Sequence, residues 1–496
     1  MNYLKTHAVT LGLICSAVTL SAQKITMTPG NRLAFTPVKE SKPLNFVLNG
    51  NHYFFNEYYK NSTTNYYMQS FDNTGRSLSN AQLELNPGVF NNTYSIDQVV
   101  GVGTKVYALI EHLDKAAGKN TLLAREIDTY GKISDKEVEV MSIPFEKIMN
   151  SGYNNSAVSP DNKMFAVAGE LPFVKEQPGK FKIALYNQDL KKVQEGEISL
   201  PGENTKNKSM SVSVANDGTV YLIKKGMTKK GEITLAVYQW SAASATEVKE
   251  YIIETTTTDQ PNNYITSYAS EINAANELII SGTYYTRRTM SAGEKQAVGI
   301  FYFTNKGKSE TLFKTFALDV PVDNLTARKV LVNGNTVFLT AEQFKENRIT
   351  PPPSTAGSMN FDYNYDYTHK NEMIIAMDTD GNKKFQLELS KNFVIRDFDR
   401  QYFSGYFICN GKLTVIYNDQ TSKYIKNDSY YQNIVPVLVQ ITNDGLMQPP
   451  VVFKNDLKLE QYYFLYPSVS VQDGPNQLSF LMGDNDNTKF LSMKIE

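Results

Sequence analysis

Short apolar runs follow short polar turns along almost the whole chain, and one phrase keeps returning. It reads N-G-N-H-Y-F-F at 49–55, G-T-K-V-Y-A-L at 103–109, P-D-N-K-M-F-A-V at 160–167 and N-D-G-T-V-Y-L-I at 216–223. It comes back as A-N-E-L-I-I at 275–280, N-G-N-T-V-F-L-T at 333–340, N-G-K-L-T-V-I at 410–416 and G-P-N-Q-L-S-F-L at 474–481. The matching apolar positions are Tyr53, Val106, Met164, Val220, Leu278, Val337, Leu413 and Leu478. Their mean spacing of about 61 residues suits a four-stranded unit with its loops. Helical periodicity is nearly absent, and the strands follow one another at all-β spacing.

A second phrase follows the first in most copies, an alternating strand that ends in a polar turn carrying glycine. Examples are S-F-D-N-T-G-R-S-L (70–78), E-I-D-T-Y-G-K-I (126–133), A-M-D-T-D-G-N-K (376–383) and Q-I-T-N-D-G-L (440–446). Glycine supplies the positive φ of a tight hairpin, and Asp or Asn caps the turn. Copies three and four depart: Y-N-Q-D-L-K-K (186–192) has no glycine and Y-Q-W-S-A-A-S (238–244) is irregular. The stretch M-D-T-D-G-N-K-K-F (377–385) begins like a calcium loop, but the place of its bidentate glutamate holds Leu-Ser-Lys. It reads as one more member of the set of turns, not as a metal site.

Each unit therefore holds four strands, A to D, and no single unit can bury both of its faces. The expected fold is all-β, one eight-bladed propeller over residues 23–496, with a seven-bladed ring as the alternative. The chain stops at T-K-F-L-S-M-K-I-E (488–496), which is strand C of the last unit. The segment N-R-L-A-F-T-P-V (31–38) is expected to supply the missing strand D, because an open ring would expose two long edges.

Residues 1–22 change the picture of where the protein lives. A short basic start, an apolar run too short to span a bilayer and the S-A-Q-K junction read as a secretory signal peptide cut after Ala22. Cys15 follows Ile14, a poor fit to lipidation. No later stretch has the apolar length of a membrane helix. Only Cys409 remains after cleavage, so no internal disulfide is expected. The formal net charge of −1 gives no general attraction to nucleic acid or anionic lipid. The expected location is the periplasm or cell surface of a Gram-negative-type bacterium.

The pieces S-P-D-N-K-M-F-A-V (159–167) and A-N-D-G-T-V-Y-L-I (215–223) resemble the strand-turn-strand pieces of WD40-like and TolB-like exported propellers. That resemblance implies the fold over most of the chain and carries no catalytic residue with it. One tryptophan, Trp240, does not match the repeated tryptophans of quinoprotein dehydrogenase blades.

Function is expected on the face of the B–C and D–A connections, which are long and tyrosine-rich. Unit one offers Tyr58, Tyr59, Tyr66 and Tyr67, and unit five Tyr284, Tyr285, Arg287 and Arg288. Unit six has a loop of about thirty residues, with Tyr363, Tyr365 and Tyr367. Unit seven adds Tyr430 and Tyr431, and the connection before unit eight Tyr462 and Tyr463. Tyrosine gives rigid amphipathic area with little rotamer entropy to lose. It is also a strand former, so the same residues could simply pack between blades. Mature histidines His52, His112 and His369 are far apart in sequence, no G-x-S-x-G elbow occurs, and no cofactor is implied. Carboxylates pair at 397–399 and 484–486, where turn roles compete with acid–base chemistry. The expectation is a non-catalytic module docking a protein of the envelope or surface, such as an outer-membrane assembly. The alternative is a propeller that binds or cleaves glycans with a carboxylate site on the same face.

Overall fold

The computed structural model describes residues 25–34, 42–60, 63–85, 88–89, 92–200, 208–227, 233–241, 243–255, 263–286, 296–349, 364–396, 403–424, 434–453, 464–483 and 488–496. All eight repeated apolar positions fall in the second strand of a four-stranded antiparallel unit. Those B strands are Asn51–Lys60, Lys105–Asp114, Met164–Glu170, Val220–Met227, Leu278–Thr286, Thr336–Ile349, Lys412–Gln420 and Gln477–Gly483. Units four and five share one sheet through a single pairing, Ile233 with Ile265.

Each B strand reads as a continuous apolar run because its two faces meet different neighbours. In unit three, Phe165 and Val167 pack toward unit two, whereas Ala166 and Ala168 pack toward unit four. The pattern repeats around the molecule. Tyr53 and Phe55 join units one and two, Ile280 and Phe301 lie between four and five, and Phe338 and Ile374 lie between six and seven. The last cluster joins Phe54 and Phe71 of unit one to Leu481 and Phe490 of unit eight. Among the described residues, eight apolar clusters thus sit at the unit boundaries, and the ring is closed. Trp240, wholly buried between units three and four, is part of one boundary.

The closing strand is Ile25–Arg32, antiparallel to Thr488–Ile495, with Ile25 opposite Ile495. It begins earlier than the expected 31–38, and 35–38 lie outside the described residues. Pairing shifts between Pro29 and Arg32, where proline cannot donate to the ladder. At that point the strand reaches unit one. Asn31 N donates to Gly75 O at 2.8 Å, and a Cβ on Gly30 would stand 2.5 Å from the same oxygen.

The 377–385 stretch is a turn. Asp378 Oδ1 accepts from Asn382 N at 2.8 Å, Oδ2 accepts from Asn382 Nδ2 at 2.8 Å, and Gly381 takes φ 72°. In copy three, where glycine is missing, Leu190 itself stands at φ 53°. Turns of the A–B and C–D face are also tied from unit to unit. Asn49 Nδ2 donates to Thr104 O, Gly103 N to Asn162 O, Asp161 N to Asn216 Oδ1 and Asn216 N to Asn276 Oδ1. Further round, Asn333 Nδ2 donates to Gly411 O, and Asn410 N to Pro475 O. That face spends much of its polar capacity on itself.

Candidate functional site

The opposite face is uneven, and its main irregularity is in unit six. There strands B (Thr336–Ile349) and C (Asn364–Asp378) stay paired as far as Ile349 and Asn364. The expected thirty-residue loop is thus shorter: Asn364–Lys370 continue strand C, because the alternation of Tyr365, Tyr367 and His369 extends the period-2 pattern. Residues 350–363 lie outside the described residues. The connection to unit seven then returns as a short strand, Phe393–Arg396, on the outer half of strand C. The three strands form a flap.

The flap has two unlike faces. One carries Phe344, Tyr365, Tyr367, His369 and Phe393 toward the ring. Tyr367 stacks between Phe344 (6.0 Å, 9°) and Tyr365 (6.1 Å, 21°), and His369 stacks on Phe393 (4.7 Å, 5°). The other face carries Lys345, Thr368 and Lys370. With Asp323, Asn324, Gln343 and Phe344 they line a shallow pocket between units five and six.

At the root of the flap lies a group of charged residues, in which the Lys391, Glu342 and Glu372 side chains have no exposed surface. Lys391 Nζ donates to Glu342 Oε1 at 2.7 Å, to Ser404 Oγ at 3.0 Å and to Glu372 Oε1. Ser404 also donates to Glu372, as does Tyr406 OH at 2.5 Å. His369 Nδ1 is 2.7 Å from Glu342 Oε1, and Arg328 Nε 3.4 Å from Glu342 Oε2. The Arg328 guanidinium lies 3.5 Å over the centre of the Phe403 ring. Two carboxylates therefore face two cations. Burial pushes Glu342 up, but Lys391, His369 and Arg328 together bring it down to about 2. Glu372 is raised, since burial outweighs Lys391 there. Burial pulls Lys391 down, but the two carboxylates more than offset it and leave it raised. Burial also lowers His369, so the ring is a neutral imidazole that donates through Nδ1 to the Glu342 carboxylate.

These residues come from strands A, B and C of unit six, the connection that follows, and the start of unit seven. Asp419 of unit seven, also buried, accepts from Asn392 N at 2.9 Å and extends the tie. Removing a buried ion pair's partner is costly, so the group fixes how the flap stands on the ring. Its ammonium already has three acceptors, which makes it an anchor. Sequence reasoning missed Glu342, Glu372, Lys391 and Arg328. The available signal was a glutamate inside an apolar strand, as in F-L-T-A-E (338–342) and N-E-M-I-I (371–375).

A second buried group, His52, Asp473 and Ser479, bridges units one and eight. Asp473 Oδ2 is 3.0 Å and Ser479 Oγ 3.4 Å from the same His52 nitrogen, Nε2. A hydrolytic triad places acid and hydroxyl on opposite ring nitrogens. Here both share one, and the trio acts as a clasp at the closing seam.

The tyrosines singled out from the sequence divide by place. Tyr66, Tyr284, Tyr285 and Tyr367 are buried. Tyr66 OH accepts from Ile96 N at 3.2 Å, and Tyr67 OH donates to Gln82 Oε1 at 3.3 Å. Tyr58 and Tyr59 belong to strand B of unit one. Arg287, Arg288, Tyr363, Tyr430, Tyr431, Tyr462 and Tyr463, with the carboxylate pairs at 397–399 and 484–486, lie outside the described residues. Among the described residues no cluster of three metal-ligating side chains occurs, no helix is long and apolar enough to cross a membrane, and Cys409 is a free, buried thiol.

The fold defined by these units is that of a β-propeller protein. No family model matches the chain, and no curated protein matches its sequence. Among solved structures it is similar to a member of the DUF4221 family from Bacteroides vulgatus, at 10% identity and a TM-score of 0.33 over 95% of this chain and 98% of that one. The WD40 domain of SCAP from fission yeast is similar at 10% identity and a TM-score of 0.41, over 95% and 94%. The β-propeller domain of the Trilobed protease from Pyrococcus furiosus gives 10% and 0.36, over 82% and 97%. Scores at this level carry no functional meaning across, and the propeller class rests on the eight units and their boundaries.

Proposed function

We propose that this chain is an exported, non-catalytic propeller that docks a protein of the cell envelope or surface through its B–C face, with the unit-six flap as the main contact. The observation that carries the reading is the buried Glu342–Lys391–Glu372 group under the flap. A structure that buries charge to hold a surface hairpin in one orientation gains pre-organisation, which lowers the entropy lost on binding. The opposite face supports the same choice, because its turns bond to each other.

The test uses the mature protein immobilised against solubilised envelope proteins, beside a variant in which residues 350–363 are replaced by a short Gly-Ser turn. A protein retained by the natural chain and lost by the variant, with unchanged thermal unfolding, supports the proposal. Identical capture by both overturns it. Capture of carbohydrate in place of protein transfers the reading to the glycan alternative. Fractionation of cells producing the full chain tests export separately.

A further inference from the structure

We propose that the inner wall of units five to seven binds a small zwitterion, an amino acid whose ammonium meets Glu271 and whose carboxylate meets Lys329. The site lies inside the ring and does not depend on a partner at the flap.

The first strand of each unit lines the inside of the ring, and polar groups bridge these strands from unit to unit. Ser156 Oγ donates to Gln98 Oε1 at 3.2 Å, Ala327 N to Ser267 Oγ at 2.7 Å, and Gln472 Nε2 to Ile408 O at 2.6 Å. Glu271 stands on strand A of unit five (Asn263–Ile272) and Lys329 on that of unit six (Leu325–Asn333). Glu271 is opposite Ile279, the residue after Leu278, whereas Lys329 is opposite Thr340, further along from Val337. The two therefore differ in level along the wall by about 7 Å.

These opposite charges do not meet. A bulge leaves Arg328 without a cross-strand partner, between Ala327 opposite Ala341 and Lys329 opposite Thr340. Bulges re-aim side chains, and this one turns two cations toward unit seven. Arg328 lies over Phe403, and Lys329 Nζ donates to Tyr406 O at 3.2 Å, 5.6 Å from the centre of the Phe407 ring. Among the described residues no donor or cation bonds the Glu271 carboxyl, and the Lys329 ammonium has that one acceptor. Glu342 and Lys391, by contrast, touch each other and leave nothing to fill.

Both groups feel the enclosure. Burial pushes the Glu271 carboxyl up and pulls the Lys329 ammonium down, and their mutual attraction offsets this only in part. Yet Lys329 is exposed and Glu271 half-buried, so solvent inside the ring reaches both. An under-hydrated charge without a contacting counter-ion is costly, and a ligand that supplies the complementary charge removes that cost. One molecule with an ammonium and a carboxylate satisfies both ends, where a plain amine or carboxylate satisfies one. Ser213, opposite Tyr221 on strand A of unit four, and Ser270 beside Glu271 add half-buried hydroxyls to the same wall.

The probes are glycine, β-alanine, γ-aminobutyrate and ε-aminocaproate, titrated calorimetrically into the intact mature protein. The series lengthens the distance between the two charges step by step. At least one member should bind, about tenfold or more tightly than the plain amine and the plain carboxylate of the same length. Lys329→Met and Glu271→Gln should each weaken it by about tenfold or more, and Asp97→Asn, on strand A of unit two, should not. Because a substitution inside the ring could prevent folding, Lys329 is also followed in the natural chain. The saturating amino acid should slow its acetylation by N-hydroxysuccinimidyl acetate about fivefold or more and leave exposed Lys105 unchanged. Absence of binding by every member overturns the inference, as does binding no tighter than that of the monofunctional compounds. Undiminished binding to both variants, or a Lys329 that the bound amino acid leaves unprotected, overturns it as well.

Discussion

Lys391 Nζ stands 2.7 Å from Glu342 Oε1, and neither side chain has any exposed surface. The two belong to different parts of unit six, one to strand B and one to the connection after strand D. Lys391→Met should leave two buried carboxylates short of a cation and destabilise the protein by about 3–5 kcal/mol. Lys105→Ala, which breaks the exposed pair with Glu126, should cost about 0–1 kcal/mol. Urea unfolding of the two variants checks the contrast.

The same group sets a direction for acid sensitivity. Glu342 is depressed to about 2, so its stabilisation is complete above the ordinary glutamate range near 4.5 and is lost as pH falls toward 2. His369, lowered by burial, acts in the same sense from about 6.5 downward, because the unfolded chain takes up its proton first. Glu372 is raised, and works in the opposite sense above the ordinary glutamate range. Unfolding free energy measured between pH 7 and pH 3 should fall. In His369→Phe the part of the fall between about pH 6.5 and 5 should shrink, and an unchanged profile would contradict the assignment.

Closure of the ring rests on a contact with no room in it. Gly30→Val would drive a side chain into Gly75 O, so the closing strand should lift from Thr488–Ile495. The expected cost is about 1–3 kcal/mol, with faster amide exchange concentrated in residues 488–495. Phe490→Ala, which empties the seam between units eight and one, should cost about 3–5 kcal/mol.

Burial pushes the Cys409 thiol up to about 11. It should resist iodoacetamide at pH 8 in the folded protein and react promptly in urea. Fast labelling of the native chain would show that the boundary between units seven and eight opens.

Much of the architecture was legible in the chain. Tyr53, Val106, Met164, Val220, Leu278, Val337, Leu413 and Leu478 mark the eight B strands because strand-strand pairing within a unit is local, and its turn chemistry is written in neighbouring residues. The need for a closing strand followed from counting strands in the last unit. Its register did not, since Ile25–Arg32 pairs with residues at the far end of the chain.

The site was less legible. Tyr66, Tyr284, Tyr285 and Tyr367 are buried, a choice between packing and display that period-2 alternation leaves open. Glu342, Glu372, Lys391 and Arg328 are ordinary charged residues in the sequence. Sequence patterning therefore determined the repeat and the strand order, both of which depend on residues within one unit. Tertiary structure decided which aromatics turn inward and where charge is buried, because each depends on neighbours brought together from different units.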